Sequence, residues 1–178
     1  MDQELIIAGF GGQGILSMGK ILAYAGLHEG KNVSWLPSYG PEMRGGTANC
    51  NVIISEEPVG SPIISTATAL IVMNQPSLEK FEEGLMPGGL VILDSSLVPV
   101  KPKRQDLKVF SLPATTRAYE MGNPTFAGVI LLGKFIGETG IISKENFENA
   151  LKSVLPARKH NLIPEEMVAL EYGIQYQS

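Results

Sequence analysis

Gly9, Gly11, Gly12 and Gly14 fall within six residues, Gly9-Phe10-Gly11-Gly12-Gln13-Gly14, where an apolar run (residues 5–8) meets a helical pattern. A turn of this composition lets backbone N–H groups approach a phosphate with no Cβ in the way, and the following helix adds the positive end of its dipole. Gly9, Gly11 and Gly14 keep the G-x-G-x-x-G spacing of a dinucleotide turn. A NAD site also wants an acid about 20 residues further on, at the end of the second strand. Here residues 32–36 run into Pro37-Ser38-Tyr39-Gly40 without one, which argues against NAD. Two readings stay open for the turn: a phosphate cradle, or a tight turn kept for helix–sheet packing. The Walker pattern is absent, because Gly19-Lys20 is followed by Ile21.

A second stretch, residues 37–46, holds two prolines, three glycines, an aromatic ring and an acid–base pair. Such a segment is stiff in places and free in others, and it presents Ser38, Tyr39, Glu42 and Arg44 on loop backbone. The Arg44 guanidinium could fork onto a phosphate or a carboxylate. Equally, Glu42 and Arg44 fit ion pairs inside the chain or at a subunit interface. No set of residues for autonomous catalysis accompanies them. His28 and His160 are isolated and lack metal-ligand spacing, so surface or interface roles are expected of both. Cys50 lies in a strand pattern and reads as a small core residue. Asp94 ends a strand, where a turn or N-cap role outweighs that of a base.

These residues need a scaffold, and its elements are legible. Apolar β-prone runs recur at residues 5–8, 33–36, 48–54, 69–73, 90–93 and 107–110, with helical patterns at 14–29, 76–83 and 113–120. Their alternation predicts an α/β fold: a three-layer, doubly wound, Rossmann-like arrangement over one domain, residues 1–178. The short gap after residue 55 leaves no room for a crossover helix, so a hairpin or excursion is expected and the mostly parallel sheet becomes mixed. The C-terminal third is helical. Asn123-Pro124 opens an apolar helix to about Gly137, Ser143 N-caps the next, and Pro164-Glu165-Glu166 marks a further first turn. In a doubly wound sheet the ligand crevice lies beyond the carboxyl ends of the strands, which places residues 9–14, 37–46, 74–77 and 94–96 on its rim.

Bulk properties set the remaining bounds. The 178 residues are 44% hydrophobic, enough for one domain with a full core. Net charge is −4, against a nucleic-acid surface; the basic cluster Lys101-Pro102-Lys103-Arg104 reads as a solvated loop. No segment has the length and apolarity of a membrane span, since residues 126–142 are broken by Lys134 and Glu138, and the acidic start lacks a signal-peptide n-region. A cytoplasmic location is the expectation. A single cysteine supports neither an internal disulfide nor an iron–sulfur cluster, which takes about four thiolates.

Five stretches together resemble a known family: residues 9–14, residues 35–50 (Trp-Leu-Pro-Ser-Tyr-Gly-Pro-Glu-Met-Arg-Gly-Gly-Thr-Ala-Asn-Cys), residues 73–76 (Met-Asn-Gln-Pro), residues 89–96, and residues 123–128 (Asn-Pro-Thr-Phe-Ala-Gly). In this order they are similar to the gamma subunit of 2-oxoacid:ferredoxin oxidoreductases, and the form of the long loop is most like the 2-oxoglutarate synthase branch. The resemblance implies a complex that oxidatively decarboxylates a 2-oxoacid to an acyl-CoA and reduces ferredoxin. It implies alpha and beta partner subunits, in some cases a small ferredoxin-like delta subunit, with thiamine diphosphate, Mg²⁺ and iron–sulfur clusters held outside the gamma chain. This sequence has no thiamine-diphosphate motif of its own. On this resemblance the turn at Gly9, Gly11, Gly12, Gln13 and Gly14, with Ser38, Tyr39, Glu42 and Arg44, becomes a candidate contact for CoA, whose pyrophosphate suits a helix N-terminus. A purely architectural role in docking the partners is the alternative. A gamma chain isolated from them is expected to cover its partner surface by pairing with itself.

Overall fold

Strand β1 (Gln3–Phe10) contributes to two cores at once: Leu5 and Ile7 to one, Ile6 and Ala8 to the other. Burial on both faces is why it reads in sequence as an unbroken apolar run. The computed structural model describes residues 2–38 and 47–177, so Tyr39, Glu42 and Arg44 lie outside the described residues. Around β1 the chain builds a six-stranded sheet in the order β2-β3-β1-β4-β5-β6. Its other strands are β2 (Asn32–Ser38), β3 (Thr47–Ser55), β4 (Ala67–Val72), β5 (Leu85–Asp94) and β6 (Lys108–Leu112). β1, β4, β5 and β6 pair in parallel. β3 runs antiparallel to both β1 and β2, which makes the sheet mixed, as the short gap after residue 55 predicts.

The two faces are covered unequally. Helices α1 (Ile15–His28), α3 (Ala114–Glu120), α4 (Phe126–Thr139), α5 (Lys144–Val154) and α6 (Ile163–Gln175) supply the larger core, through residues such as Leu22, Ala118, Phe126, Phe147 and Leu170. On the opposite face lies α2 (Gln75–Phe81), followed by a single 3-10 turn at Glu82–Gly84, and Leu78 packs there with Leu85 and Val98. The three-layer α/β arrangement expected from the alternation of strands and helices is present, with one helical layer much the thinner. The β3–β4 and β5–β6 connections carry no helix, so loop residues such as Ile64 and Leu107 complete the thinner layer.

Sequence signals at the element ends have physical counterparts. Asn74 N-caps α2, accepting from Ser77 N–H at 2.9 Å, and Ser143 N-caps α5, accepting from Asn146 N–H at 3.1 Å. Helix α4 starts at Phe126, later than Asn123-Pro124 implies, because Asn123 Oδ1 accepts from Thr125 N–H (3.1 Å) and Thr125 Oγ1–H (2.7 Å) and holds a turn first. Arg104 is no solvated loop residue. It donates from Nη1 to Leu85 O (2.7 Å) and Glu82 O (3.1 Å), and from Nη2 to Asp106 Oδ2 (2.6 Å), anchoring the β5–β6 loop. No helix among the described residues is long and apolar enough to cross a membrane.

Candidate functional site

After β1 the chain reaches the edge where strand order reverses: β3 lies on one side of β1 and β4 on the other. Open α/β sheets leave a crevice at such a point, beyond the carboxyl ends of the strands. The glycine turn sits there. Gly12 (φ +91°) and Gly14 (φ +79°) occupy left-handed backbone, which an L side chain strains to adopt, and a Cβ on either would meet nothing within 4 Å. These two glycines turn the chain and leave open space over the turn. Gly9 differs: a Cβ there would stand 2.9 Å from Ile15 Cδ1 and 3.1 Å from Met73 Cβ, so its need is close packing. Gly11 is exposed. The two readings left open by the sequence thus divide among residues, packing at Gly9 and accessible turn at Gly12 and Gly14.

Gln13 braces this turn. Its Oε1 accepts from Phe10 N–H at 2.5 Å and its Nε2 donates to Met73 O at 3.2 Å, tying the ends of β1 and β4 together. That leaves its side chain committed within the chain. Helix α1 begins at Gly14 with no side-chain hydrogen bond capping it among the described residues. The first N–H groups of a helix have no intrahelical partners and carry the positive end of its dipole. An anion over Gly12 and Gly14 would meet both.

A cavity of about 650 Å³ opens from this turn. Gly12, Gln13, Gly14 and Met73 form its wall at the sheet edge, joined by Leu97 after β5 and Thr115 of α3. Ser17 and Met18 of α1 and Gly128 and Leu132 of α4 also line it, with Leu155, Lys159, Leu162 and Glu166 from the C-terminal third. Volume and lining suit one small-molecule ligand with an apolar body and a few polar groups. Glu166 is 7% exposed, and its Oε2 has no hydrogen-bond partner. Burial pushes its carboxyl up to about 7, with Lys159 pulling weakly the other way.

Sequence reasoning missed Glu166. Pro164-Glu165-Glu166 satisfied the rule for acids in a first turn, and that reading hid a second signal: Ile163, Glu166, Leu170 and Gly173 share the buried face of α6 at helical spacing. A carboxylate on an apolar stripe is the anomaly to look for. Ser38, expected on the rim, ends β2 two strands away from β1, opposite Asn49, and does not line the cavity. The three other rim candidates, Tyr39, Glu42 and Arg44, follow directly on β2.

Groups read as structural from sequence are structural. Cys50 is fully buried under Gly19, donates to Ile15 O at 3.5 Å, and has its thiol pushed up to about 12 by burial, so it fits neither a nucleophile nor a cluster ligand. Asp94 is spent in the β5 turn: Oδ1 accepts from Ser96 N–H (3.0 Å) and Oδ2 from Thr115 Oγ1–H (2.5 Å). His160 Nε2 contacts Leu155 O at 2.9 Å and His28 Nε2 contacts Ser153 Oγ at 3.1 Å. Among the described residues no three His, Cys, Asp or Glu side chains gather as a metal site.

Residues 4–176 match the model of the pyruvate ferredoxin/flavodoxin oxidoreductase family. The chain is 41% identical over 172 residues to ketoisovalerate oxidoreductase subunit VorA of Methanothermobacter marburgensis, covering 96% of this chain and 35% of that protein. It thus spans about a third of that relative's length. Over 159 residues it is 35% identical to 2-oxoglutarate synthase subunit KorC of Methanocaldococcus jannaschii, covering 88% of this chain and 85% of that one. The crystal structure of a keto/oxoacid ferredoxin oxidoreductase gamma subunit from Geobacter sulfurreducens superposes with a TM-score of 0.85 at 30% identity, covering 98% of this chain and 95% of that one. The fold recurs, at TM-score 0.84 and 22% identity, within 30% of a chain of a 2-oxoglutarate:ferredoxin oxidoreductase from Magnetococcus marinus solved with 2-oxoglutarate, coenzyme A and succinyl-CoA. This chain belongs to the pyruvate ferredoxin/flavodoxin oxidoreductase family, as a counterpart of its gamma subunits.

Proposed function

We propose that this chain is the gamma subunit of a complex that oxidatively decarboxylates a 2-oxoacid to an acyl-CoA, and that it holds part of CoA at the glycine turn. The observation that carries the reading is the cavity on the β1/β4 edge, opened by Gly12 and Gly14 beside the uncapped start of α1. An anionic pyrophosphate fits that position, and the apolar walls fit the arm that follows it. The presence of the same fold in a complex solved with CoA makes CoA the ligand to test first. Among the described residues no three His, Cys, Asp or Glu side chains gather for a metal and the cysteine is buried, so the reading assigns thiamine diphosphate, Mg²⁺ and iron–sulfur clusters to alpha and beta partners. Electrons leave through those partners to ferredoxin. The 2-oxoacid is proposed to be 2-oxoglutarate on the form of residues 37–46, while relatives named for ketoisovalerate and for 2-oxoglutarate both align.

The test is affinity purification of the tagged chain from its native cell, followed by assay with CoA, a low-potential acceptor and a panel of 2-oxoacids. Copurifying partners and CoA-dependent oxidation of 2-oxoglutarate is the expected result; a preference for the branched acid would reassign the substrate, and recovery of the chain alone would remove the reading. Arg44→Ala in the same complex is expected to raise the CoA KM several-fold with subunits still assembled. Disassembly instead would make Arg44 an interface residue.

A further inference from the structure

Glu166 stands out among the cavity's walls. Its side chain is more than nine-tenths buried, it sits on the apolar face of α6, and Oε2 finds no donor among the described residues. Burying a carboxyl without a partner costs folding free energy, so an isosteric apolar residue here would serve the fold better. Lys159, the cationic side chain among the described lining residues, lies at the exposed surface and supplies no hydrogen bond to it. Such a cost is retained where a group serves something other than packing.

The cavity gives that group a geometry. The anion-suited turn at Gly12 and Gly14 and the residue Glu166 both belong to its lining, with Met18 and Leu132 among its apolar residues. A molecule with a phosphate at one end, an apolar body and an N–H donor elsewhere satisfies these features together. We propose that Glu166 accepts a hydrogen bond from an N–H group of the ligand held in this cavity. The inference rests on the CoA reading above and deepens it, for CoA carries such donors in two places: the amides of its pantetheine arm and the exocyclic amine of its adenine.

The experiment measures ligand binding to the assembled complex by titration calorimetry at pH 7, with wild type, Glu166→Leu and Glu166→Gln. Probes are CoA, 4′-phosphopantetheine, which lacks adenine, and adenosine 3′,5′-bisphosphate, which lacks the arm. Glu166→Leu is expected to weaken CoA about tenfold, and Glu166→Gln, which keeps an acceptor oxygen, by no more than about twofold. The fragment whose affinity falls in parallel with that of CoA identifies the donor. A second readout guards against misfolding of the Leu variant. An N–H donor favours the ionised carboxyl, so wild type should release protons on binding CoA, seen as a buffer-dependent enthalpy that Glu166→Gln lacks. Unchanged CoA affinity in Glu166→Leu, or equal proton release in wild type and Glu166→Gln, overturns the role of Glu166 while leaving CoA binding intact. Failure of the wild-type complex to bind CoA at all removes the proposal together with the reading beneath it.

Discussion

At the residue scale the chain separates groups that hold the fold from groups left over. Gln13, Cys50 and Asp94 all have the chemistry of a site, and each is spent on a neighbour: Met73 O, Ile15 O and Thr115. Glu166 is the exception. Its folded-state carboxyl lies at about 7 against an ordinary 4.5, so the folded chain holds a proton that the unfolded chain has released. That contribution is fully present below pH 4.5 and is lost as pH rises through 7. Glu166→Leu should therefore stabilise the protein at pH 8 by on the order of 2–3 kcal/mol, with the gain shrinking toward pH 4.5. Urea denaturation of both proteins across this range would show it, and a pH-independent difference would contradict the assignment. Cys50 and Asp94 were legible in sequence because strand position and turn chemistry are local. Glu166 was less so, since an acid in a first turn satisfies a local rule while its burial is decided by how α6 lies on α4.

At the element scale that contact is set by glycine. A Cβ on Gly133 would collide with the backbone carbonyl of Leu170, and one on Gly173 with that of Ile130, while one on Gly137 would lie 3.2 Å from Ile174 Cα. Helix backbones therefore touch where α4 crosses α6, the helix that carries Glu166 into the cavity lining. Gly133→Ala must part the helices, and a cost of about 1–3 kcal/mol is expected, read as a lowered thermal midpoint. A loss under 1 kcal/mol would mean that the crossing relaxes freely. The apolar run of α4 announced a buried helix, and the alternation of strands and helices announced the sheet. What sequence did not reveal was the imbalance of the layers. Whether a connection becomes a helix or a loop packed by Ile64, Val98 and Leu107 depends on the surface left uncovered beneath it, which no local pattern encodes.

At the scale of the whole molecule, the chain is a scaffold that carries a cavity at the reversal of its strand order. The glycine turn was visible in sequence as either a phosphate cradle or a packing turn, and its division into packing and open positions required the backbone angles of Gly12 and Gly14. Phe10, at the end of β1, and Tyr119 are exposed, and Tyr119 lines the cavity itself. The proposed contact of this subunit with CoA would place the ligand over the glycine turn. Photolabelling the assembled complex with a diazirine-bearing CoA analogue, followed by peptide mapping, tests it without altering a residue. The account predicts label on this chain within residues 12–18, suppressed by excess CoA. Label confined to the partner subunits would contradict it and leave this chain an architectural role.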